Sequence, residues 1–341
     1  MSHDGALALL FPFLRAQSAP ALWVLDEHGG GPGMPAPNRA VTVLSNRVDV
    51  TEEMQAAGWA AQFSDFDFAP WPAGSLDAIF LRLAKEKPVV HHVINAAAKR
   101  LAPGGRLLLS GGKQQGIKTY ARHAAERLGG QLDFRKMGNE YLAVIRRGST
   151  AGTMLDERDY ATLRPAIEDG TLHYLTKPGL YGWDKVDAGS ALLVENMPAC
   201  APQQVLDLGC GYGYLSVQAW HRLQPQRIVA TDNNAAALLA CRANFAAQGI
   251  VGEVIAADCG TGVDGLFDLV LCNPPFHQGF GVERDLTERF VASARRHTSA
   301  QGQALFVSNA FLPLEQVARR HYAQVTTLAN DGRFRVTQLR P

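Results

Sequence analysis

The C-terminal half of the chain alternates short apolar runs with longer amphipathic segments. Five runs have the length and composition of buried strands: QQVLDLG (203–209), RIVATD (227–232), GEVIAAD (252–258), LFDLVLCN (266–273) and QALFVSN (303–309). Segments of helical length separate them, which predicts a parallel sheet covered by helices on both faces. The closing segment 322–339 predicts two strands joined by a turn, and therefore an antiparallel hairpin at the sheet edge.

The N-terminal half repeats this pattern in a weaker form. Its counterparts are ALWVLDEHGGG (21–31), AVTVLSN (40–46), SLDAIFLRL (75–83) and the helix-turn-strand segment 93–113. The repeat indicates tandem Rossmann-like α/β domains, although two unrelated α/β halves would also resemble each other. DEHGGGPG is not a clean GxGxG and no Asn-Pro-Pro follows AIFLR, so we expect the first copy to be degenerate. A polar stretch near the middle predicts a degenerate domain at 1–160 and a catalytic domain at 168–341.

Composition and charge indicate the cellular compartment of the protein more clearly than they indicate its binding partner. The net charge of +1 gives no global indication of nucleic acid or membrane, so an RNA-binding surface would be a local patch. The five cysteines form no CxxC pair, which favours reduced thiols over disulfides or a zinc site. The apolar run ALALLFPFL (6–14) lacks the basic flank of a signal peptide, and no run approaches membrane-spanning length. We expect a cytoplasmic protein that does not contact membranes.

A glycine turn follows the first strand of the C-terminal half. VLDLGCGYGYLS (205–216) places Gly209, Gly211 and Gly213 between a strand and a helix, where a ligand can approach the backbone closely. The spacing is GxGxG, whereas dinucleotide-binding turns use GxGxxG. Asp207 precedes the turn, where a carboxylate favours a cationic or amine-bearing ligand and disfavours a pyrophosphate. A dinucleotide oxidoreductase is therefore the weaker alternative.

Two further acids end the next two predicted strands. Asp232 occupies the position that commonly hydrogen-bonds a ribose diol, and Asp258 is placed to accept from an adenine amine. Either acid alone is as readily explained as a cap of the following helix. Three acids at successive strand ends beside a glycine turn favour a nucleoside-containing ligand.

NPPF (273–276) ends the fourth predicted strand at the same edge. Prolines fix the backbone, so the segment is a rigid corner that is either a turn or a device for aiming side chains. If the ligand is S-adenosylmethionine, the oxygens of Asn273 and Pro274 accept hydrogen bonds from the N–H groups of an exocyclic amine and aim its lone pair at the methyl group. Pro275 keeps the corner rigid, and Phe276 offers a face on which a base stacks.

At these residues the sequence resembles the class I S-adenosylmethionine-dependent methyltransferases, and more closely the bacterial ribosomal RNA small-subunit methyltransferase C family of 16S rRNA guanine-N2 enzymes. The resemblance rests on segments spread over the C-terminal half: 177–194, VLDLGCGYGYLS, NPPFHQG (273–279), SNAFLPLEQV (308–317) and DGRFRV (331–336). It implies that the cofactor is S-adenosylmethionine, that Asn273, Pro274, Pro275 and Phe276 hold the guanine amine, and that the cofactor-binding residues are Asp207, Gly209, Gly211, Gly213, Asp232 and Asp258. It also implies that the N-terminal domain supports the structure or binds RNA.

Several alternatives stay open at this point. A sister family that methylates a guanine of 23S rRNA shares NPPFHQ, and NPPF also serves adenine-N6 and glutamine side-chain methylation. A non-catalytic RNA-binding assembly factor is the non-enzymatic alternative. We expect a monomer that acts on ribosomal RNA or the small ribosomal subunit, with local basic candidates for phosphate contacts at Lys113, Lys118, Arg122, Arg295, Arg296, Arg319, Arg320, Arg333 and Arg335. Such residues also commonly form solvated helix faces and strand edges.

Overall fold

A computed structural model describes residues 4–30, 33–199, 201–275 and 280–341 of the chain. The chain divides into two compact units, Met1–Thr162 and Leu163–Pro341. Residue 168, where we expect the catalytic domain to begin, lies inside the first strand of the second unit. None of the helices in the described part of the chain combines the length and the apolar composition that spanning a bilayer requires.

The N-terminal unit is a seven-stranded sheet with helices packed against it. Its strands are β1 (Ala21–Leu25), β2 (Val41–Ser45), β3 (Ala60–Phe63), β4 (Leu76–Arg82), β5 (Leu101–Gly112), β6 (Leu132–Met137) and β7 (Glu140–Arg146). Its helices are α1 (Gly5–Ala8), α2 (Phe11–Ala16), α3 (Val48–Ala56), α4 (Lys87–Arg100) and α5 (Ile117–Leu128). The strand order is β3-β2-β1-β4-β5-β7-β6, and β7 is the one strand that runs in the direction opposite to the other six.

The C-terminal unit contains a second seven-stranded sheet and a separate hairpin. Its strands are β8 (Arg164–Asp169), β9 (Leu172–Thr176), β10 (Gln204–Leu208), β11 (Arg227–Asp232), β12 (Glu253–Ala256), β13 (Phe267–Cys272), β14 (Thr298–Asn309), β15 (Gln324–Asn330) and β16 (Phe334–Arg340). Its helices are α6 (Ala188–Glu195), α7 (Tyr214–Leu223), α8 (Ala235–Ala247), α9 (Phe280–His297) and α10 (Leu314–Ala318). The order β12-β11-β10-β13-β14-β16-β15 repeats that of the first unit strand for strand.

This repeated order confirms the prediction of tandem Rossmann-like domains. The predicted parallel strands and the closing antiparallel hairpin are present in the C-terminal unit. Successive residues along the central strands alternate between two apolar clusters: Val205 and Leu269 face one, and Leu206 and Val270 face the other. Because side chains alternate across a strand, helices on both faces bury both sets, and the strands are therefore almost continuously apolar.

The β8–β9 hairpin was not predicted from the sequence. Its position depends on a side chain about 70 residues away: the Asn244 amide accepts from Leu175 N at 2.7 Å and donates to Leu175 O at 3.0 Å. The same amide donates to Tyr212 O at 2.7 Å, which joins the hairpin to the segment before α7. Isolated two-stranded hairpins are marginally stable, so this one depends on tertiary contacts that local patterns do not reveal.

In the N-terminal unit, the chain's own side chains crowd the corresponding strand ends. A Cβ on Gly30 would lie close to the Glu53 carboxylate, and the carboxylate of Asp26 binds the His28 ring at 2.8 Å. Arg82 at the end of β4 is buried, where it donates to Leu83 O at 2.6 Å and pairs with Asp4 at 3.1 Å. In the first unit, these side chains therefore lie at the sheet edge that corresponds to the edge carrying the glycine turn in the second unit.

Candidate active site

The candidate site lies at the carboxyl ends of β10, β11 and β13, which are neighbours in the second sheet. Asp207 is the penultimate residue of β10 and pairs in register with Ala230 of β11 and Leu271 of β13. Asp232 ends β11, and Asn273 follows β13 directly. The topology therefore brings the turn, one acid and the Asn-Pro-Pro corner to one edge, where open α/β sheets bind ligands.

The three glycines of the turn have different surroundings. All three have positive φ: +79° at Gly209, +55° at Gly211 and +89° at Gly213. A Cβ on Gly211 would meet no atom within 4 Å, whereas one on Gly213 would lie 2.8 Å from Cys241 Sγ. Gly211 therefore lies beside open space suited to a ligand. Gly213 lets α7 begin against α8, so packing alone already requires glycine there.

Asp207 is fully buried and only half of its carboxylate is satisfied. Its Oδ2 accepts from Ser216 Oγ at 2.6 Å, while Oδ1 has no hydrogen-bond partner among the described residues. Burial raises the pKa of Asp207 to about 7, against the opposing effect of its hydrogen bonds to Ser216. An unsatisfied buried carboxylate oxygen beside a glycine turn suits the ammonium end of an amino-acid-bearing cofactor.

The raised pKa predicts a pH-dependent penalty in the cofactor-free protein. A carboxyl group whose pKa is higher in the folded state binds more protons when the chain is folded. The free energy of unfolding therefore falls as the pH rises from the pKa of Asp207 in the unfolded chain toward its folded-state pKa of about 7. Between about pH 5.5 and 7.5, we expect the free energy of unfolding of Asp207→Asn to gain about 2 kcal/mol relative to the unsubstituted chain.

Urea denaturation of both proteins across this pH range measures the difference. Asp268→Asn is the matched control. Asp268 accepts from Gln203 N and Gln204 N at the amino ends of the central strands of the same sheet, away from the glycine turn. Parallel pH profiles for Asp207→Asn and the unsubstituted chain would contradict the prediction.

The Asp232 carboxylate connects the glycine turn to the start of α8. Its Oδ2 accepts from Gly211 N at 3.0 Å, and its Oδ1 accepts from Asn234 N at 2.9 Å. The side chain is partly exposed. A partly exposed carboxylate held by two backbone amides is oriented in advance and retains lone pairs for hydroxyl donors.

Asp258 lies two residues beyond the end of β12, not at the strand end. The strand ends at Ala256, and the Asp258 side chain forms an ion pair with Arg289 of α9. Asn233 Nδ2 approaches its other oxygen at 3.5 Å. An adenine amine would therefore meet an acid whose charge is already partly balanced by a guanidinium.

Asn273 is held by two residues that the sequence analysis did not identify. Its Nδ2 donates to Asp187 Oδ2 at 3.0 Å and to Ser190 Oγ at 2.8 Å. Pro274 is buried and Pro275 is exposed, while Phe276 lies outside the described residues. The signal that would have found Asp187 is local: an aspartate directly before the helical segment AGSALLVE is a typical N-cap, and Asp187 caps α6 through Ser190 N at 2.8 Å.

Among the described residues, no group of three or more His, Cys, Asp or Glu side chains has the arrangement of a metal site. Cys210, Cys241, Cys259 and Cys272 are free and buried, and Cys200 lies outside the described residues.

Known proteins similar to this chain share its sequence pattern and its fold. Residues 171–338 match the family described as methyltransferase small domain. The ribosomal RNA small subunit methyltransferase C of Pseudomonas paraeruginosa is 32% identical over 275 residues, which cover 79% of this chain and 81% of that protein. The Serratia proteamaculans protein of the same name is 36% identical over 188 residues, 54% of each chain.

The structure of a T. thermophilus 16S rRNA guanine-N2 methyltransferase in complex with AdoMet and guanosine has the same fold. It matches with a TM-score of 0.85 at 24% identity, over 99% of this chain and 92% of that chain. The sheet order and the edge that carries the glycine turn define a class I S-adenosylmethionine-dependent methyltransferase. The length and identity of the sequence matches narrow this class, and the chain belongs to the ribosomal RNA small subunit methyltransferase C family. The resemblance stated from the motifs is confirmed.

Proposed function

We propose that this protein transfers a methyl group from S-adenosylmethionine to the exocyclic N2 amine of a guanine in 16S rRNA. The observation that carries the proposal is the orientation of the Asn273 amide. Its nitrogen faces Asp187 and Ser190, so its oxygen, Oδ1, points away from them and has no donor among the described residues. An acceptor fixed at the ligand edge of the sheet suits an amine substrate, and membership of the family supports 16S rRNA as the source of that amine.

The cofactor-binding part of the proposal assigns one group of the ligand to each residue. We propose that the unsatisfied oxygen of Asp207 takes the ammonium group, that the backbone of Gly209 and Gly211 lies against the methionine part, and that Asp232 accepts from the ribose hydroxyls. Gly213 contributes by letting α7 begin beside this pocket. Asp258, with its charge shared with Arg289, takes the adenine amine.

Bound S-adenosylmethionine supplies an electrophilic methyl group, and the residues of the chain prepare the amine that receives it. The lone pair of a guanine N2 amine is delocalised into the ring, which makes the amine a weak nucleophile. We propose that Asn273 Oδ1 and the Pro274 carbonyl accept hydrogen bonds from its two N–H groups and draw the lone pair out of conjugation. Neither group is a base at neutral pH, so the rate gain comes from positioning and pre-organised hydrogen bonds, and the proton leaves later to solvent. Phe276 is assigned the role of stacking platform.

Acidic partners reduce the positive charge of several basic residues that could contact RNA. Arg320 pairs with Glu288, and both Arg319 and Arg335 lie within 4 Å of Glu315. Arg333, the last residue of the turn that joins β15 to β16, lies over the Phe334 ring at 4.9 Å. We propose that basic residues such as Arg333, near the edge of the sheet that carries Asn273, contact the RNA. We also propose that the N-terminal unit supports the structure or adds RNA contacts.

A methylation assay with a choice of substrates tests the proposed function. Equal amounts of 16S rRNA, 23S rRNA and assembled small subunits are offered with labelled S-adenosylmethionine, and the modified nucleotide is mapped by mass spectrometry. We expect one N2-methylguanine in 16S rRNA, either naked or within the subunit. Label in 23S rRNA, in an adenine or in a ribosomal protein would replace the proposed substrate. RNA binding without methyl transfer would indicate an assembly factor.

A further inference from the structure

The hydrogen bonds around Asn273 extend to a second layer of side chains on α6 and the segment before it. We infer that Asp187 and Ser190 are positioning residues that fix the amide of Asn273 with its oxygen toward the substrate. This inference rests on the proposed function, because it assigns these residues a part in the same amine transfer. It adds to that function a reason why the Asn273 amide has one orientation and not the flipped one.

A carboxylate decides the orientation because it accepts hydrogen bonds and donates none. Asp187 Oδ2 lies 3.0 Å from the Asn273 amide, so the group facing it is NH2 and not the carbonyl oxygen. Ser190 Oγ lies 2.8 Å from the same nitrogen, so both amide protons have acceptors. The flipped amide would place its oxygen against the carboxylate and its protons toward the incoming amine, and both contacts are repulsive.

The carboxylate of Asp187 is itself fixed on both oxygens. Ser190 N donates to Oδ2 at 2.8 Å as the N-cap bond of α6, and the Tyr181 hydroxyl donates to Oδ1 at 3.0 Å. A tyrosine hydroxyl is protonated at neutral pH. Desolvation of the hydroxyl and the nearby Asp187 carboxylate raise the pKa of Tyr181 to about 12 although the residue is 62% exposed, so the hydroxyl remains a donor. These two hydrogen bonds restrain the carboxylate from rotating away from Asn273.

The start of α6 is also fixed against the sheet. A Cβ on Gly189 would lie 3.1 Å from the Phe334 ring of β16, so the helix N-terminus sits closely on that strand. Ser190 is 8% exposed and Asp187 is partly exposed. The sheet therefore determines where α6 begins, α6 determines where Asp187 and Ser190 lie, and these two determine how Asn273 points. This sequence of contacts places the acceptor before the substrate arrives.

Two substitutions at one position separate orientation from charge. Asp187→Ala removes an acceptor and leaves the amide free to flip, so we expect kcat for 16S rRNA methylation to fall about 10- to 100-fold with S-adenosylmethionine affinity changed less than about 3-fold. Asp187→Asn keeps an oxygen for Asn273 and Ser190 N, while its NH2 donates to the Tyr181 oxygen. We expect this variant to retain kcat within about 3-fold. Unchanged kcat in Asp187→Ala, or equal loss in both variants, would overturn the inference.

Two further variants separate positioning from loss of a helix cap. Asp4 caps α1 through Leu7 N at 2.9 Å and also pairs with Arg82, so Asp4→Ala removes an aspartate cap in the N-terminal unit. It is expected to leave kcat unchanged. In an Asn273→Ala background, Asp187→Ala should lower kcat by less than about 2-fold more, because the group it positions is gone. Full additivity of the two losses would overturn the inference.

The unsubstituted protein distinguishes failure of the inference from failure of the proposed function. If it transfers no methyl group to 16S rRNA, the proposed function fails, and the coupling between Asp187 and Asn273 is then measured as a double-mutant cycle of thermal stability. Zero coupling in that cycle would overturn the positioning contact itself.

Discussion

Replacing Asn273 with alanine is expected to lower kcat for methyl transfer about 100- to 1,000-fold while S-adenosylmethionine affinity stays within about 3-fold. The substitution removes the acceptor that we propose draws the amine lone pair toward the methyl group, and it leaves the glycine turn and Asp232 in place. A loss in kcat without a loss in cofactor binding is characteristic of an interaction made in the transition state. Single-turnover methylation of 16S rRNA and calorimetric cofactor titration measure the two quantities.

Asn38→Ala is the matched control for this experiment. The Asn38 amide nitrogen also donates two hydrogen bonds, to Leu14 O at 2.8 Å and Gln17 O at 2.7 Å, but it lies in the N-terminal unit. We expect its loss to reduce stability and leave kcat unchanged. If Asn273→Ala retained kcat within about 3-fold, Asn273 would have no part in the reaction.

Local sequence patterns predicted most of the second sheet because its central strands are buried on both faces. Runs such as LFDLVLCN are too short for a typical helix and are bounded by Gly265 and Pro274, and β13 forms over Phe267–Cys272 within the predicted run. β14 begins five residues before its predicted start, at Thr298, because its first residues pair with β13 through an irregular register. Register irregularities are set by the partner strand, so they are absent from the pattern of a single strand.

The residues of the candidate site were predictable only where a motif carries them. Gly211 and Asp232 follow strands and were predicted, but the hydrogen bond between them, 21 residues apart, needed the structure. Asp187 lies 86 residues from Asn273, and no pattern within either segment indicates their contact. Arg289 likewise reaches Asp258 from a helix 31 residues further along. Sequence motifs identify residues that touch a ligand more readily than residues that hold those residues in place.

The two units show how one strand order accommodates opposite outcomes at the same edge. Gly211 in the second unit has open space above it, whereas Gly30 in the first faces the Glu53 carboxylate. Asn273 follows β13 with its amide oriented by an acid, whereas Arg82 ends β4 as a buried cation paired with Asp4. A buried guanidinium needs acceptors inside the protein, and Arg82 finds them in Asp4 and the Leu83 carbonyl, which therefore fill the space at this end of β4. The fold therefore persists in both copies because it depends on apolar strands, while the chemistry depends on a few edge residues.

Replacing Asp232 with alanine is expected to weaken S-adenosylmethionine binding about 30- to 100-fold. The substitution would remove the two charge-assisted hydrogen bonds that we propose to the ribose hydroxyls, and it releases Gly211 N and Asn234 N, which the carboxylate now orients. The effect should appear in the cofactor Kd and in KM for the cofactor, while kcat at saturating cofactor falls far less. Calorimetric titration of both proteins with S-adenosylmethionine measures the change.

Asp268→Ala separates ligand binding from loss of a structural carboxylate. Asp268 accepts from two backbone amides, Gln203 N at 2.8 Å and Gln204 N at 3.1 Å, but at the amino end of the same sheet. Both variants lose a carboxylate that holds two backbone amides, so both should lose stability, and only Asp232→Ala should lose cofactor affinity. Equal cofactor affinity in the two variants would mean that Asp232 serves only the turn, and that the ribose is bound by other groups.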